Sequence, residues 1–279
     1  MRAACGESKG APTIGTSASQ PNKHLLPTKP QTRTARKRTT RPRLRGVKRR
    51  PSGSTTHERM KTLIQEIRRS LTAMPAKNAQ SFHLVRRMWS RELQEQSGKA
   101  VITLAKQLIS LGVWERILAY EILAYHQAAG ETLKPEDVAD LGRGMQSWGE
   151  VDCFACYVAG PAWREGKVPT RLLHAWARSG DHWWRRAALV STVLLNNRTR
   201  GGNGDAARTL GVCRLLIRDR NDMVVKAMSW SLRELSKRDP ASVKLFLERH
   251  SQDLAPRVLR EVRNKMRTGL KNPRRVSVS

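Results

Sequence analysis

Two short segments hold the residues best suited to chemistry. In Ser147-Trp148-Gly149-Glu150-Val151-Asp152, a helix capped by Ser147 would set Trp148 and Asp152 four residues apart, on one face. Val151, Phe154 and Val158 then form the neighbouring buried stripe. A carboxylate beside an indole on a helix facing a cleft makes an electrostatic site. By itself the pattern has a second reading, an acid that serves the helix dipole. In Ser229-Trp230-Ser231-Leu232-Arg233-Glu234, an aromatic sits mid-helix with Arg233 three residues on. There the other reading is a core tryptophan with a solvated arginine.

Eight tryptophans stand against three Phe and three Tyr. Trp89, Trp114, Trp176 and Trp183 fall on apolar stripes and are expected in the core. Cys153 and Cys156 form a C-x-x-C inside an apolar helical pattern with no second ligand pair, so they read as two buried helix cysteines rather than a zinc or redox site. His57, His83, His126, His174, His182 and His250 lack metal spacing, and His182 beside Asp181 reads as helix-cap or ligand-facing polarity. No phosphate-binding loop or serine-hydrolase elbow occurs. Neither metal nor cofactor is expected.

The chain carries 53 Lys+Arg against 23 Asp+Glu, a net charge of +30 over 279 residues. Residues 1–56 hold +13 of it and 270–279 another +3, leaving +14 on the stretch between. Such an excess bears on partners before it bears on fold. Both ends read as disordered basic tails, residues 1–56 being rich in Pro, Ser, Thr and Gly. The run Arg33–Arg50 would hold a polyanion by counterion release and would address a eukaryotic chain to the nucleus. Its alternatives are a solvated tail or an overextended start, since Met60 opens MKTLIQEIRRSL as a domain start would. No run approaches the roughly 18 apolar residues of a membrane span, no secretory leader is evident, and four scattered cysteines fit a reducing compartment.

These residues must be positioned by helices. Apolar residues recur at three- and four-residue steps from His57 onward, without strand alternation. The pattern predicts helices over 57–73, 82–96, 99–111, 113–128, 135–145, 147–159, 169–179, 181–196, 205–217, 221–238, 240–249 and 255–268. Gly and Pro fall between them, at Gly112, Gly130, Gly160-Pro161, Gly180, Gly201-Gly202 and Pro240. The starts Pro135, Pro169, Asp205 and Pro240 are 34, 36 and 35 residues apart, each leading into a short helix and then a longer one. That period is the mark of a helical solenoid, whose concave face is free to grip an extended ligand. With a positive body, a nucleic-acid backbone is the ligand that fits.

The order S-W-x-x-V-D, then W-x-R-R-A-A at Trp183–Ala188, then A-x-x-W-x-L-R-E at Ala227–Glu234 resembles the DNA alkylation repair family, the AlkD-type DNA glycosylases built from HEAT-like repeats. The resemblance spans about residues 60 to 268. It implies an all-α, HEAT-like solenoid, an α-α superhelix over 57–269 with a basic concave groove that clasps duplex DNA. It implies hydrolysis of the N-glycosidic bond of cationic alkylpurines such as 7-methylguanine and 3-methyladenine, in base excision repair without deep base flipping. Asp152 resembles the family's catalytic carboxylate, Trp148 and Trp230 the tryptophans that flank the lesion's backbone, and Arg186 the backbone-contacting arginine. Arg185, Arg233 and Lys226 are further expected DNA contacts. The sequence departs from relatives at Gly149, often bulkier or acidic there, and at the glycine-rich loop Arg200–Gly204. The expected protein is a monomer, cytoplasmic and nucleoid-associated or nuclear. The rival readings are a non-catalytic binder of DNA structures and a HEAT adaptor for protein or RNA.

Overall fold

The computed structural model describes residues 56–273. The basic run 33–50, Cys5 and the rest of the chain before residue 56, together with residues 274–279, lie outside the described residues. Within them the protein is all-α and no strand forms. The helices are α1 (Thr56–Thr72), α2 (Ala79–Glu92), α3 (Gly98–Leu108), α4 (Val113–Ala124), α5 (Gln127–Thr132), α6 (Pro135–Leu141), α7 (Trp148–Phe154), α8 (Gly160–Arg164), α9 (Thr170–Ala177), α10 (His182–Asn196), α11 (Ala206–Leu215), α12 (Asp222–Leu235), α13 (Pro240–Arg249) and α14 (Pro256–Thr268). None of these is long and apolar enough to cross a membrane.

The repeat is visible as packing. The second helices α4, α7, α10, α12 and α14 form one row, each against the next, and α9 packs on α11 in the other row. Pro135 and Pro240 take the first helical turns of α6 and α13, and Pro169 and Asp205 cap α9 and α11. Proline suits such a position because its missing N–H would have no intrahelical partner there. Side chains that join successive repeats are separated by the same interval. Lys106 donates to Asp140, Arg186 to Asp152, Arg185 to Asp219, Arg218 to Asp253 and Arg257 to Asp222, each pair 34 or 35 residues apart. One apolar core runs from Ile67 to Val262.

Two expected breaks lie inside helices instead. Gly130 sits within α5, and the chain passes through Gly160-Pro161 without leaving the helix, by way of a π turn at Ala155–Ala159. Pro161 has no N–H to give, and the wider turn shifts the pairing so that Gly160 N–H bonds the Ala155 carbonyl. The Cys156 carbonyl, left without a helical donor, takes one from Arg200 Nη1 at 3.4 Å. π turns of this kind let a helix absorb an extra residue. Gly160 is also where this helix meets α10: a Cβ there would lie 2.7 Å from the Ala155 carbonyl oxygen and 2.9 Å from Leu194 Cβ.

Beneath α7, Tyr120, Phe154, Trp176 and Trp184 form a continuous aromatic group with neighbouring ring centroids 4.8 to 6.0 Å apart, within the range where aromatic pairs attract. Gly142 admits it, since a Cβ there would come 2.4 Å from the Trp184 ring. Of the expected core tryptophans, Trp89 and Trp176 are buried and Trp114 and Trp183 half-buried. The most buried is Trp163 of α8. Cys153 at the end of α7 and Cys156 in the π turn are free thiols, and burial pushes the Cys156 thiol up to about 12, which leaves it unreactive.

The glycines separate packing from helix propensity. Gly160→Ala is expected to cost about 1 to 3 kcal/mol by overpacking. Gly130→Ala, with nothing within 4 Å of the new Cβ, is expected to add about 0.5 to 1 kcal/mol. Urea unfolding of both variants checks the contrast.

Candidate functional site

The first turn of α7 is locked before it reaches Trp148. Ser147 is the N-cap in extended conformation, and its hydroxyl oxygen accepts from Glu150 N–H at 3.4 Å. The Glu150 carboxylate in turn accepts from Gln146 N–H at 2.8 Å and from the Ser147 hydroxyl at 3.0 Å. This resembles a capping box in which the glutamate takes the N–H of the residue before the N-cap instead of the N-cap's own. It places Trp148 at the first helical position with its side chain 47% exposed, while Val151, Phe154 and Val158 face the core. Asp152 follows one turn later on the Trp148 side of the helix.

Asp152 is held from the next repeat. Arg186 of α10 donates from Nε to Oδ1 at 2.9 Å and from Nη2 to Oδ2 at 2.8 Å, and its Nη1 donates to the Met223 carbonyl of α12 at 2.6 Å. The guanidinium is buried, so one side chain ties α7, α10 and α12 together through the strong two-pronged geometry. Burial raises the Asp152 carboxyl above its ordinary value, and the charge and hydrogen bonds of Arg186 oppose that rise.

The other expected site residues lie along the same row. Arg185 points away from Arg186: its Nε donates to Asp219 at 2.7 Å and its Nη1 to the carbonyls of Ser179 and Gly180 at 3.0 and 2.8 Å. Lys226 is paired with Asp222 at 2.7 Å, and Lys226 with Arg257 holds the Asp222 carboxyl below its ordinary value. Trp230 stands four residues beyond Lys226 on the same face of α12, half-buried against the core edge. Arg233 donates from Nε to the Ser229 hydroxyl at 3.2 Å. Burial pulls its guanidinium below the ordinary range, against the attraction of Glu261 and Glu234. The structure therefore joins Asp152 directly to Arg186, and Arg186 to the first turn of the helix that carries Trp230. It does not bring Arg185 to them.

Sequence reading missed the support on the other side of α7. Arg116 of α4 faces Glu150 at 3.3 Å, and both are buried. A glutamate three residues after the capping serine was the available signal. It also passed over the exposed cations of the loops leading into the second helices, Arg143 at 77% and Arg218 at 81% side-chain exposure. Asp181, by contrast, caps α10 as expected, accepting from Trp183 N–H at 2.8 Å, with the His182 ring 4.3 Å from that of Trp183. The glycine-rich loop lies at the far end of α10, about 15 Å along the helix from Arg186, folded back by Gly202 N–H on Asn197 and by Arg164 and Arg238 on its carbonyls. Among the described residues no cluster of His, Cys, Asp or Glu could hold a metal.

A sequence model of the family described as DNA alkylation repair enzyme matches residues 58–266. No curated protein matches the chain.

The Asp152–Arg186 pair generates a pH-dependent expectation. In Arg186→Ala the carboxylate stays buried without its partner, a loss of about 3 to 5 kcal/mol near neutral pH. Removing the two influences that lower its pKa raises it further in the fold than in the unfolded chain. The folded variant then binds a proton that the unfolded chain has already lost, so stability falls as pH rises from 3.8 upward. Urea unfolding should show a deficit largest at pH 7 and smaller at about pH 4. A pH-independent deficit would contradict it.

Proposed function

The chain belongs to the DNA alkylation repair enzyme family, whose task is DNA repair and whose partner is DNA, and we propose that it is a DNA glycosylase acting on cationic alkylated purines such as 7-methylguanine and 3-methyladenine in duplex DNA. The observation that carries this reading is the ionisable Asp152, fixed by a fork of hydrogen bonds from Arg186 one helical turn after the exposed Trp148.

The reaction asks little of the protein. Alkylation at N7 or N3 has already made the purine a cation, so the base leaves as a neutral molecule and no general acid is needed. Cleavage of the bond between C1′ and the purine nitrogen leaves an oxocarbenium-like sugar. Asp152 supplies negative charge to that cation and orients a water, whose oxygen adds to C1′ and whose proton passes through the carboxylate to solvent. The charge and two hydrogen bonds of Arg186 favour the ionised form of Asp152 against the burial that raises its pKa, and they aim it; on this reading Arg186 positions the carboxylate rather than holding phosphate. Trp148 and Trp230 present electron-rich faces to the sugar, an attraction related to the cation–π effect of about 0.5 to 2 kcal/mol each. Contact with the lesion's backbone in a basic concave groove replaces a deep pocket for an extruded base.

A second reading is a non-catalytic binder of DNA structures. It is favoured by one observation, that the Asp152 charge is already matched by Arg186. Base release separates the two. Purified protein, acting as a monomer, should release 7-methylguanine from alkylated duplex DNA. Asp152→Asn should lower that rate about 10²- to 10³-fold, the loss typical of a preorganised electrostatic group, with affinity for undamaged duplex nearly unchanged. Tight duplex binding with no release from any alkylated substrate would hand the case to the binder.

A further inference from the structure

We infer that Arg116 and Glu150 are positioning residues for Trp148: a buried charge pair outside the site fixes the loop from which that indole projects. For its activity arm the inference rests on the glycosylase reading above.

Trp148 is a large apolar side chain with nearly half of its surface in solvent, so packing does little to set its direction. Its place depends on the backbone of the α6–α7 loop and the first turn of α7. Three carbonyls of that loop and of the adjoining end of α6, with Glu150 of α7, converge on α4. Arg116 Nη1 donates to the Arg143 carbonyl at 2.9 Å, and its Nη2 to the Gly144 carbonyl at 3.4 Å. The Tyr120 hydroxyl donates to the Leu141 carbonyl at 2.8 Å while accepting from Arg116 Nη1 at 3.1 Å. Arg116 Nε faces Glu150 Oε1 at 3.3 Å, and Glu150 Oε2 holds Gln146 N–H and the Ser147 hydroxyl. Gly144 turns through the left-handed region at φ 70°, where a side chain would be strained.

The three side chains at the centre of this network are buried: Arg116 is 6% exposed, Glu150 5% and Tyr120 0%. Ion pairs so placed add little net stability because desolvation offsets their attraction. What they add is a single geometry, since a guanidinium with five directed donors fits one arrangement of carbonyls and carboxylate. That geometry is delivered to residues 141–150, next to the one exposed tryptophan among the described residues. Asp152 has its own support from Arg186. The indole has this one.

The test labels the full chain with 5-fluorotryptophan and assigns the Trp148 resonance by its loss in Trp148→Phe. Glu150→Ala removes the acceptor and the charge; Glu150→Gln restores an acceptor for Gln146 N–H and the Ser147 hydroxyl. The expected result is that Glu150→Ala shifts the Trp148 line while the other seven stay. Release of 7-methylguanine under saturating DNA should fall about tenfold, as small misplacements of positioned groups do. Affinity for undamaged duplex should stay within about twofold, and Glu150→Gln should recover part of both effects. Ser147→Ala loosens the same turn from its solvent side and serves if Glu150→Ala does not fold. An unmoved Trp148 line in either folded variant overturns the inference. If the unaltered protein releases no base, the glycosylase reading fails while the fluorine spectra still decide this one.

Discussion

The bidentate bond between Arg186 and Asp152 is the constraint on which the rest of the site depends. It joins side chains 34 residues apart, one repeat interval, and with the Met223 carbonyl it fixes three successive helices of one row. A buried pair of this type contributes little net stability, yet the loss of either partner is expensive because a lone charge remains in a poorly solvated place. The pair therefore acts less as glue than as a specification of register. Shift α10 by one residue against α7 and the fork no longer meets the carboxylate.

The same bond carries a chemical tension. Arg186 orients Asp152 and favours its ionised form against burial, but it also balances much of the charge that a cationic transition state would feel. On the proposed reading the two are reconciled by timing. A carboxylate whose geometry is set in advance needs no reorganisation when positive charge appears at the sugar, and preorganisation of this sort outweighs raw field strength in many sites. The indole of Trp148, one helical turn before Asp152 and open to solvent, adds a face that carries no compensating charge.

Much of this was legible in the sequence. Prolines and aspartates at 34- to 36-residue intervals gave the repeat, because helix starts are written locally in capping residues. Trp148 and Asp152 could be placed on one helix face for the same reason. What escaped was non-local. Arg186 was expected to contact a DNA backbone; that its guanidinium holds Asp152 and the Met223 carbonyl was not foreseen, because a contact between repeats leaves no trace in helical periodicity. Arg185 looked equivalent to its neighbour, yet one residue is 100° around a helix, enough to send it to Asp219. Glu150 was passed over as one more acid in a first turn, and Gly160-Pro161 looked like a helix end because a π turn is not encoded by any simple spacing.

The charge of the body must be re-read in the same light. Three of the expected DNA contacts, Arg185, Arg186 and Lys226, are paired with partners within the protein, as is Arg116. They fix the helices. On the proposed reading, attraction for a phosphate backbone falls to exposed groups on the loops that lead into the second helices. Arg143 and Arg218 each touch one acid yet keep most of their surface in water, and Arg220 leans on the Asp219 and Asp253 carbonyls with no acid of its own. The repeats thus carry two kinds of arginine: Arg185 and Arg186 are taken up by partners that hold the helices in register, while Arg143 and Arg218 stand in the turns before α7 and α12 with most of their surface in water.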